Sequence, residues 1–181
     1  MFVIPKLIPR ERLSQERLRV RNNGKRLILT NGCFDLLHAG HIYALEQAAQ
    51  QGDVLWVGVN SDNSIRRLKG PTRPIYNQDA RLYLLNALQC VDGLFLFDGD
   101  NLAPELELIQ PDIYVKSGDY TLDKLNPEER RILLAAKTQI VFTPFLKGWS
   151  TTHTIEQLSH SLDAYVSSTL KRNRKESKKE R

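Results

Sequence analysis

Two histidines separated by an alanine and a glycine are the residues best suited to chemistry in this sequence of 181 residues. His38 and His41 stand about one helical turn apart, and Gly40 lets the backbone approach an anion. An imidazole N–H can stabilise the charge that builds on a phosphoryl oxygen during an in-line displacement. The spacing favours a phosphate-handling site over a zinc site, because no third ligand stands at a familiar distance.

The residues around this pair support the prediction. The segment 30–41 reads TNGCFDLLHAGH and follows a short apolar run, so it lies where a strand turns into a helix. The alternative is that His38 and His41 are ordinary first-turn residues, one packed and one solvated. Neither GxGxxG nor GxxxxGKS/T occurs in the chain, so phosphate would be held by this turn and by the unpaired N–H groups of the helix start.

A basic loop follows the second apolar run. Lys69 and Arg73 are its preferred phosphate ligands, because Gly70, Pro71 and Pro74 restrict the backbone around them. The alternative for each side chain is an exposed, solvated charge. Arg81, in the helix after this loop, is a weaker candidate that would equally suit an ion pair to the same or a neighbouring helix.

Two later segments carry further polar candidates. Lys116 and Asp119 lie at the carboxyl end of a predicted strand, which is where open parallel sheets bind ligands. Ser150, Thr151 and Thr152 precede another predicted helix and would form a second anion pocket. Simple capping of that helix also explains the three hydroxyl groups.

The elements that position these groups alternate between strand and helix. The runs lack the two-residue alternation of a half-exposed sheet, so they suit parallel strands covered on both faces. A doubly wound, Rossmann-like α/β fold is therefore predicted. The predicted strands cover residues 27–30, 54–59, 94–97, 113–115 and 140–143. A helix is predicted near residues 10–22, and Asn77 and Asn126 are predicted to cap two later helices.

The distribution of charge along the chain indicates where its domain begins and ends. Residues 171–181 and 1–25 each carry seven Lys or Arg against two acidic residues, so the body between them is net negative although the whole chain is +5. Disorder is predicted for the basic tail, and a nucleic-acid surface is not predicted beyond it. We predict a partly helical extension at 1–25, a catalytic domain at 26–160 and a helix end with its tail at 161–181. Two cysteines without paired spacing, and no long apolar run, predict a cytoplasmic protein.

The string TNGCFDLLHAGH resembles the first motif of the HxGH nucleotidyltransferase superfamily. The resemblance implies that His38 and His41 contact the nucleotide phosphates, and we group Lys69 with them as catalytic. Arg73 and Arg81 are assigned to the second substrate. The residues assigned to nucleotide binding are Asn31, Gly32, Cys33, Phe34, Asp35, Gly40, Lys116, Asp119, Ser150, Thr151 and Thr152.

The strings VGVNSD, RLKGPTRPI, VKSGDY and GWSTT extend the resemblance to the bacterial D-glycero-D-manno-heptose 1-phosphate adenylyltransferase family over about residues 10–160. It implies transfer of AMP from ATP, with Mg²⁺, to a sugar 1-phosphate. It also implies a homodimer and a separate sugar kinase that supplies the acceptor. No metal-binding residues are assigned in this chain.

Two alternatives remain open. Glycerol-3-phosphate cytidylyltransferases carry RTxGISTT where this chain reads FLKGWSTT, and the missing arginine favours ATP over CTP. A non-catalytic nucleotide- or nucleic-acid-binding protein is the alternative of another class. The intact His38, His41, Lys69 and Ser150 argue against it.

Overall fold

The structure, a computed structural model, describes residues 2–144 and 146–176. It divides into two compact units, Met1–Leu146 and Lys147–Arg181. The second unit carries the helix α7 (Thr151–Glu176).

The first unit alternates strands and helices over the residues described. Each predicted apolar run forms a strand, and the helix predicted near 10–22 is present after a short 3-10 turn at Arg10–Arg12. In chain order the elements are α1 (Leu13–Asn22), β1 (Leu27–Gly32), α2 (Ala39–Ala49), β2 (Val54–Asn60), α3 (Asp62–Lys69), α4 (Gln78–Asn86), β3 (Gly93–Phe97), α5 (Ala103–Ile109), β4 (Ile113–Ser117), a 3-10 turn (Leu122–Lys124), α6 (Pro127–Ala135) and β5 (Gln139–Thr143).

The five strands form one parallel sheet in the order β3-β2-β1-β4-β5. The chain moves outward from β1 to β3 and then returns to pair β4 with the other side of β1. The strand order therefore reverses between β1 and β4, and a crevice opens beyond their carboxyl ends. The predicted doubly wound α/β fold is confirmed.

Side chains that alternate along the strands fill two separate cores. Leu27 and Leu29 of β1 pack on one face with α1, α5 and α6, whereas Ile28 packs on the other face with α2 and α4. The same alternation separates Trp56 from Leu55 in β2. Both faces of the sheet are covered, which explains why the strands are nearly continuous apolar runs.

The N-terminal extension is part of the first unit. Leu7 forms a parallel bridge with Leu94 of β3, with the Ile8 amide donating to the Leu94 carbonyl at 2.7 Å. Lys6 also donates its Nζ to the Leu88 carbonyl at 2.7 Å. The extension therefore covers the exposed edge of β3, which would otherwise present unpaired backbone groups.

Helix starts follow the predicted capping residues in the first unit. Asn77 accepts from the Ala80 amide at the start of α4, and Asn126 accepts from the Glu128 and Glu129 amides at the start of α6. The tail differs from its prediction, because α7 continues through residues 171–176, while 177–181 lie outside the described residues. Among the residues described, no helix has the length and apolar character needed to cross a bilayer.

Candidate active site

The start of α2 brings the two motif histidines together. His38 has extended backbone angles and caps the helix, its Nδ1 accepting a hydrogen bond from the His41 amide at 3.3 Å. The two rings stack with centroids 3.8 Å apart. Because Nδ1 of neutral His38 is an acceptor, its proton resides on Nε2. The ring N–H of neutral His38 therefore lies on the side of the ring away from the capped amide.

His41 is a neutral group at physiological pH. Burial, together with the neighbouring His38 and against the charge of Asp35, lowers the pKa of His41 to about 4. Its ring tilts against Phe34, 5.4 Å between centroids, and its Nδ1 is buried without a hydrogen-bond partner among the residues described. A neutral imidazole in this position can donate one hydrogen bond to a phosphoryl oxygen, but it cannot supply a full positive charge.

The turn between β1 and α2 has an unusual backbone. Phe34 and Leu36 have positive φ angles of 51° and 48°, which bulky residues rarely adopt. Gly32 permits this turn, since a Cβ there would lie 3.2 Å from the Phe34 ring. Phe34 is itself buried against His41. Gly32 and Phe34 thus shape the turn and support His41 from behind.

Asp35 holds the basic loop against this turn. Its carboxylate is 1% exposed and accepts from Arg73 Nε at 2.7 Å and from the Ile75 and Tyr76 amides. Although burial acts to raise it, hydrogen bonds from Tyr76, Ile75 and Arg73 hold the pKa of Asp35 below its ordinary value. The geometry gives Asp35 a positioning role, whereas the sequence predicted a nucleotide-facing one.

Arg81 joins three segments beneath the site. Its guanidinium is 0% exposed, pairs with Asp62 at 2.9 Å, and donates to the carbonyl oxygens of Cys33, Asn60 and Tyr76. This is the interhelix ion pair that sequence reasoning left open, because Asp62 belongs to α3. The buried guanidinium is not accessible to a substrate. The structure therefore gives Arg81 a positioning role in place of the predicted contact with a substrate.

Lys116 stands at the reversal of strand order. Its Nζ donates to Asn31 Oδ1 at 2.7 Å, and the Tyr114 hydroxyl donates to the same oxygen at 2.9 Å. Burial lowers the pKa of Lys116, although electrostatic interactions with Glu129 and Cys33 act to raise it. Burial also raises the pKa of the Tyr114 hydroxyl. One asparagine from β1 therefore fixes two polar side chains of β4.

Two cavities open beside Lys116 at the carboxyl edge of the sheet. We call the smaller one, about 210 Å³, the motif cavity; His41, Phe34, Leu45 and Ser117 line it. We call the larger one, about 390 Å³, the polar cavity; its walls include Lys69, Asn101, Lys124 and Asn126. The two cavities share Asn31, Gly32, Cys33, Lys116 and Tyr120.

A cavity of about 470 Å³ lies elsewhere, near the amino ends of β2 and β3. Its cations include Arg12 and Arg19, and both are paired with Glu16. Ligands of open parallel sheets bind at the opposite end of the strands. We therefore place the chemistry at the carboxyl edge, although the cavity there is smaller.

The remaining candidates of the first unit differ in their surroundings. Burial raises the pKa of the Cys33 thiol in spite of nearby cations, which disfavours a nucleophilic thiolate. Lys69 is exposed on the rim of the polar cavity. Asp119 lies in an exposed turn beside Gly118, whose φ is +113°, and Asp119 lines neither cavity.

In the second unit, Ser150 caps α7. Its Oγ accepts from the His153 amide at 3.1 Å, and the helix begins at Thr151, two residues before the predicted start. Thr154 Oγ1 donates to the Ser150 carbonyl at 3.1 Å. The capping alternative is thus present in the structure, and nucleotide binding by Ser150, Thr151 and Thr152 stays a prediction.

The described residues bring together no group of three or more His, Cys, Asp or Glu side chains that could hold a metal ion. Mg²⁺ is commonly held by substrate phosphates and water with few protein ligands.

The family is decided by a match over most of the chain. The model described as cytidylyltransferase-like matches residues 29–174, which include the α2 start and both cavities. The chain belongs to the cytidylyltransferase-like family. It is a nucleotidyltransferase enzyme, and the resemblance stated from TNGCFDLLHAGH is confirmed.

The relatives of this nucleotidyltransferase are longer proteins. It is 44% identical over 146 residues to the bifunctional protein HldE of Hyphomonas neptunium, covering 81% of this chain and 30% of that protein. It is 41% identical over 157 residues to the HldE protein of Helicobacter pylori, covering 87% and 32%. The chain thus spans about three tenths of the length of these curated relatives.

A solved structure shares the fold. The lipopolysaccharide core biosynthesis protein from Thermoplasma volcanium superimposes with a TM-score of 0.56 at 28% sequence identity. The match covers 68% of this nucleotidyltransferase and 98% of that chain. The parallel α/β architecture is therefore found in a relative of known structure.

Sequence reasoning missed most of the polar cavity. Asn101 follows β3, and Lys124 and Asn126 follow β4, so each comes from a loop beyond a strand's carboxyl end. Their position after predicted strands was the available signal. No motif marked them, because loops that follow two different strands have no fixed spacing in sequence.

Proposed function

We propose that the chain transfers AMP from ATP to a sugar 1-phosphate, with D-glycero-D-manno-heptose 1-phosphate as the acceptor. The observation that carries the proposal is the α2 start, where His41 stacks on His38 and lines the motif cavity, which shares Lys116 with the polar cavity. The similarity to HldE proteins, and to the lipopolysaccharide core biosynthesis protein of Thermoplasma volcanium, supports a sugar acceptor.

In the proposed reaction, an oxygen of the acceptor phosphate attacks the α-phosphorus of ATP. A new P–O bond forms, the bond from the α-phosphorus to the bridging oxygen of the β-phosphate breaks, and pyrophosphate leaves with that electron pair. The acceptor phosphate is largely dianionic at neutral pH, since its second pKa is about 6. No general base is therefore needed, and the task of the protein is alignment and charge stabilisation.

The side chains at the site suit these two tasks. The Nε2–H of His38, fixed by its cap, and neutral His41 donate hydrogen bonds to phosphate oxygens of ATP. Lys116, which lines the motif cavity with His41, and Lys69, on the adjoining polar cavity, supply positive charge. The contacts strengthen as charge moves onto the phosphate oxygens, so they lower the barrier more than they tighten binding.

The test is pyrophosphate release with Mg²⁺, crossing ATP and CTP against heptose 1-phosphate and glycerol 3-phosphate. His38→Asn is the informative variant, because asparagine keeps the helix cap but removes the imidazole donor. ATP-dependent release with the heptose, lost in the variant, supports the proposal. Release with CTP and glycerol phosphate assigns the chain to cytidylyl transfer, and no release with any pair leaves a binding role.

The proposal includes two protein partners, a second copy of this chain and a sugar kinase. We propose a homodimer, which light scattering of the purified chain would detect as twice the mass of one chain. We also propose that a separate sugar kinase supplies the acceptor phosphate. A strain that carries this chain but lacks a kinase for the sugar would then not make the ADP-heptose product.

A further inference from the structure

The polar cavity has the chemistry of a site for a polyhydroxylated phosphate ester. We infer that it binds the acceptor, with Lys69, Lys116 and Lys124 around the acceptor phosphate and the amides of Asn101 and Asn126 on the sugar hydroxyls. The inference rests on the proposed function and assigns the second substrate of that reaction to side chains.

Size separates the two cavities. The polar cavity, at about 390 Å³, falls in the range of roughly 300–1,000 Å³ typical of small-molecule sites, and the motif cavity, at about 210 Å³, lies below it. The motif cavity adjoins His41, so it suits the part of the nucleotide next to the reacting phosphorus. The polar cavity, which adjoins it through Lys116, is large enough for a sugar phosphate.

The charges that line the polar cavity also favour the acceptor as its ligand. Three lysines line the polar cavity, while its two carboxylates are already used by protein donors. Asp100 accepts from Arg67 Nε at 2.8 Å, and buried Glu129 accepts from the Leu102 amide at 2.7 Å. Glu129 keeps its charge, because its donor is a neutral amide, so three lysines against two carboxylates leave the lining net positive for a phosphate. Lys116 is the single lysine that lines both cavities.

The amide groups are oriented by their own helix starts. Asn101 Oδ1 accepts from the Ala103 amide at 3.0 Å, and Asn126 Oδ1 accepts from the Glu128 amide at 3.0 Å. Each oxygen is occupied, so the NH₂ group is the end that remains for a ligand, and neither has a hydrogen-bond partner in the described part of the chain. An amide donor fixed in this way suits a hydroxyl oxygen.

The apolar residues that line the polar cavity also suit a sugar. Leu68, Phe97 and Leu125 contribute apolar surface among the polar groups. Sugars present C–H faces as well as hydroxyl groups, so a mixed lining accommodates them. A compact acceptor with few hydroxyl groups, such as glycerol phosphate, would leave one or both amide donors unpaired at a cost in affinity.

The test uses variants that keep the helix caps. Asn101→Asp and Asn126→Asp retain the accepting oxygen but replace the amide donor by an acceptor, and Lys124→Met removes one charge. We expect each to raise the KM for heptose 1-phosphate about tenfold, with the KM for ATP within about twofold of the parent. Asn77→Asp, another cap residue, and Lys25→Met, on an exposed lysine before β1, are the matched controls.

The outcomes separate this inference from the proposed function. An increase in the KM for ATP instead would show that the polar cavity holds the nucleotide and would overturn the inference. Unchanged KM values in all three variants of an active chain would also overturn it, while the proposed function would stand. No pyrophosphate release from the parent chain with any acceptor would overturn both.

Discussion

The two sides of the crevice are built differently. On the motif side, the turn after β1 and the loop 70–76 are fastened together through Asp35 and Arg81, which are 1% and 0% exposed. On the β4 side, residues 118–124 form an exposed turn in which Tyr120 is 43% and Leu122 is 41% exposed. The motif side is a buried frame for phosphate chemistry, whereas the β4 segment is exposed and is held partly by hydrogen bonds within itself, such as Lys124 Nζ to the Asp119 carbonyl at 2.8 Å.

This contrast matches the division of labour in the proposed reaction. Donors that stabilise a transition state must be held before the substrate arrives, because reorganising them would cost part of the gain. Groups that recognise an acceptor tolerate small movements. Substitutions on the motif side should therefore change stability or turnover, and substitutions on the β4 side should change the KM.

The largest expected effect is at Arg81. Arg81→Met keeps much of the side-chain volume but leaves Asp62 and three backbone carbonyls without their buried donor. We expect the free energy of unfolding to fall by about 3 kcal/mol, measured by urea denaturation. A stable Arg81→Met enzyme with normal turnover would show that the motif side is not held by this residue. Arg66→Met, on an exposed arginine of α3, is the control.

The next effect is at His41. His41→Ala should lower kcat by about 100-fold while the KM for ATP changes little, because the lost hydrogen bond strengthens in the transition state. Steady-state kinetics of pyrophosphate release measures both. His160→Ala, at an exposed histidine of α7, should leave kcat unchanged. Equal losses in kcat and ATP binding would assign His41 to ground-state binding.

The low pKa of His41 predicts a pH effect. The folded pKa is about 4, below the ordinary value near 6.5, so the unfolded chain binds more protons between these values. The free energy of unfolding should therefore fall by up to about 2 kcal/mol as pH drops from about 6.5 to about 4. His41→Asn should flatten this part of the curve. An imidazole that titrates near pH 6.5 by NMR would contradict the neutral assignment.

Asp35 contributes at lower pH. Its pKa is below the ordinary value when folded, so its stabilising effect is present above about pH 4 and is lost as pH falls through the folded pKa. Asp35→Asn should lower the free energy of unfolding by about 1–2 kcal/mol at pH 7 and by less at pH 3. Denaturation curves at the two pH values test this. The same loss at both values would mean that the carboxylate charge is not what holds the loop 70–76.

The smallest effect is expected on the β4 side at Asp119. Its side chain is exposed and lines neither cavity, so Asp119→Ala should leave the melting temperature unchanged. We expect the KM for ATP to rise by less than about fivefold, with kcat retained. Asp123→Ala, in the same exposed segment, is the matched control. A large loss of kcat at Asp119 would remove the contrast between the two sides.

The sequence predicted the frame of the molecule well, for a physical reason. Continuous apolar runs, the Asn77 and Asn126 caps and the motif at 30–41 are local signals, and local hydrogen bonding and side-chain periodicity decide strands, helices and their ends. The doubly wound fold followed from their alternation, and the α2 start lies where the motif predicted it.

The roles of individual site residues depended on contacts across the chain. Sequence reasoning assigned Asp35 to the nucleotide and Arg81 to a substrate, yet both charges are buried and satisfied by groups 19–48 residues away. Whether a charge meets a ligand or a protein partner is decided by burial, and burial depends on the whole fold. The polar cavity also depends on the tertiary structure. The loops after β1, β3 and β4 contribute to its lining, and they meet only because these strands lie in one sheet.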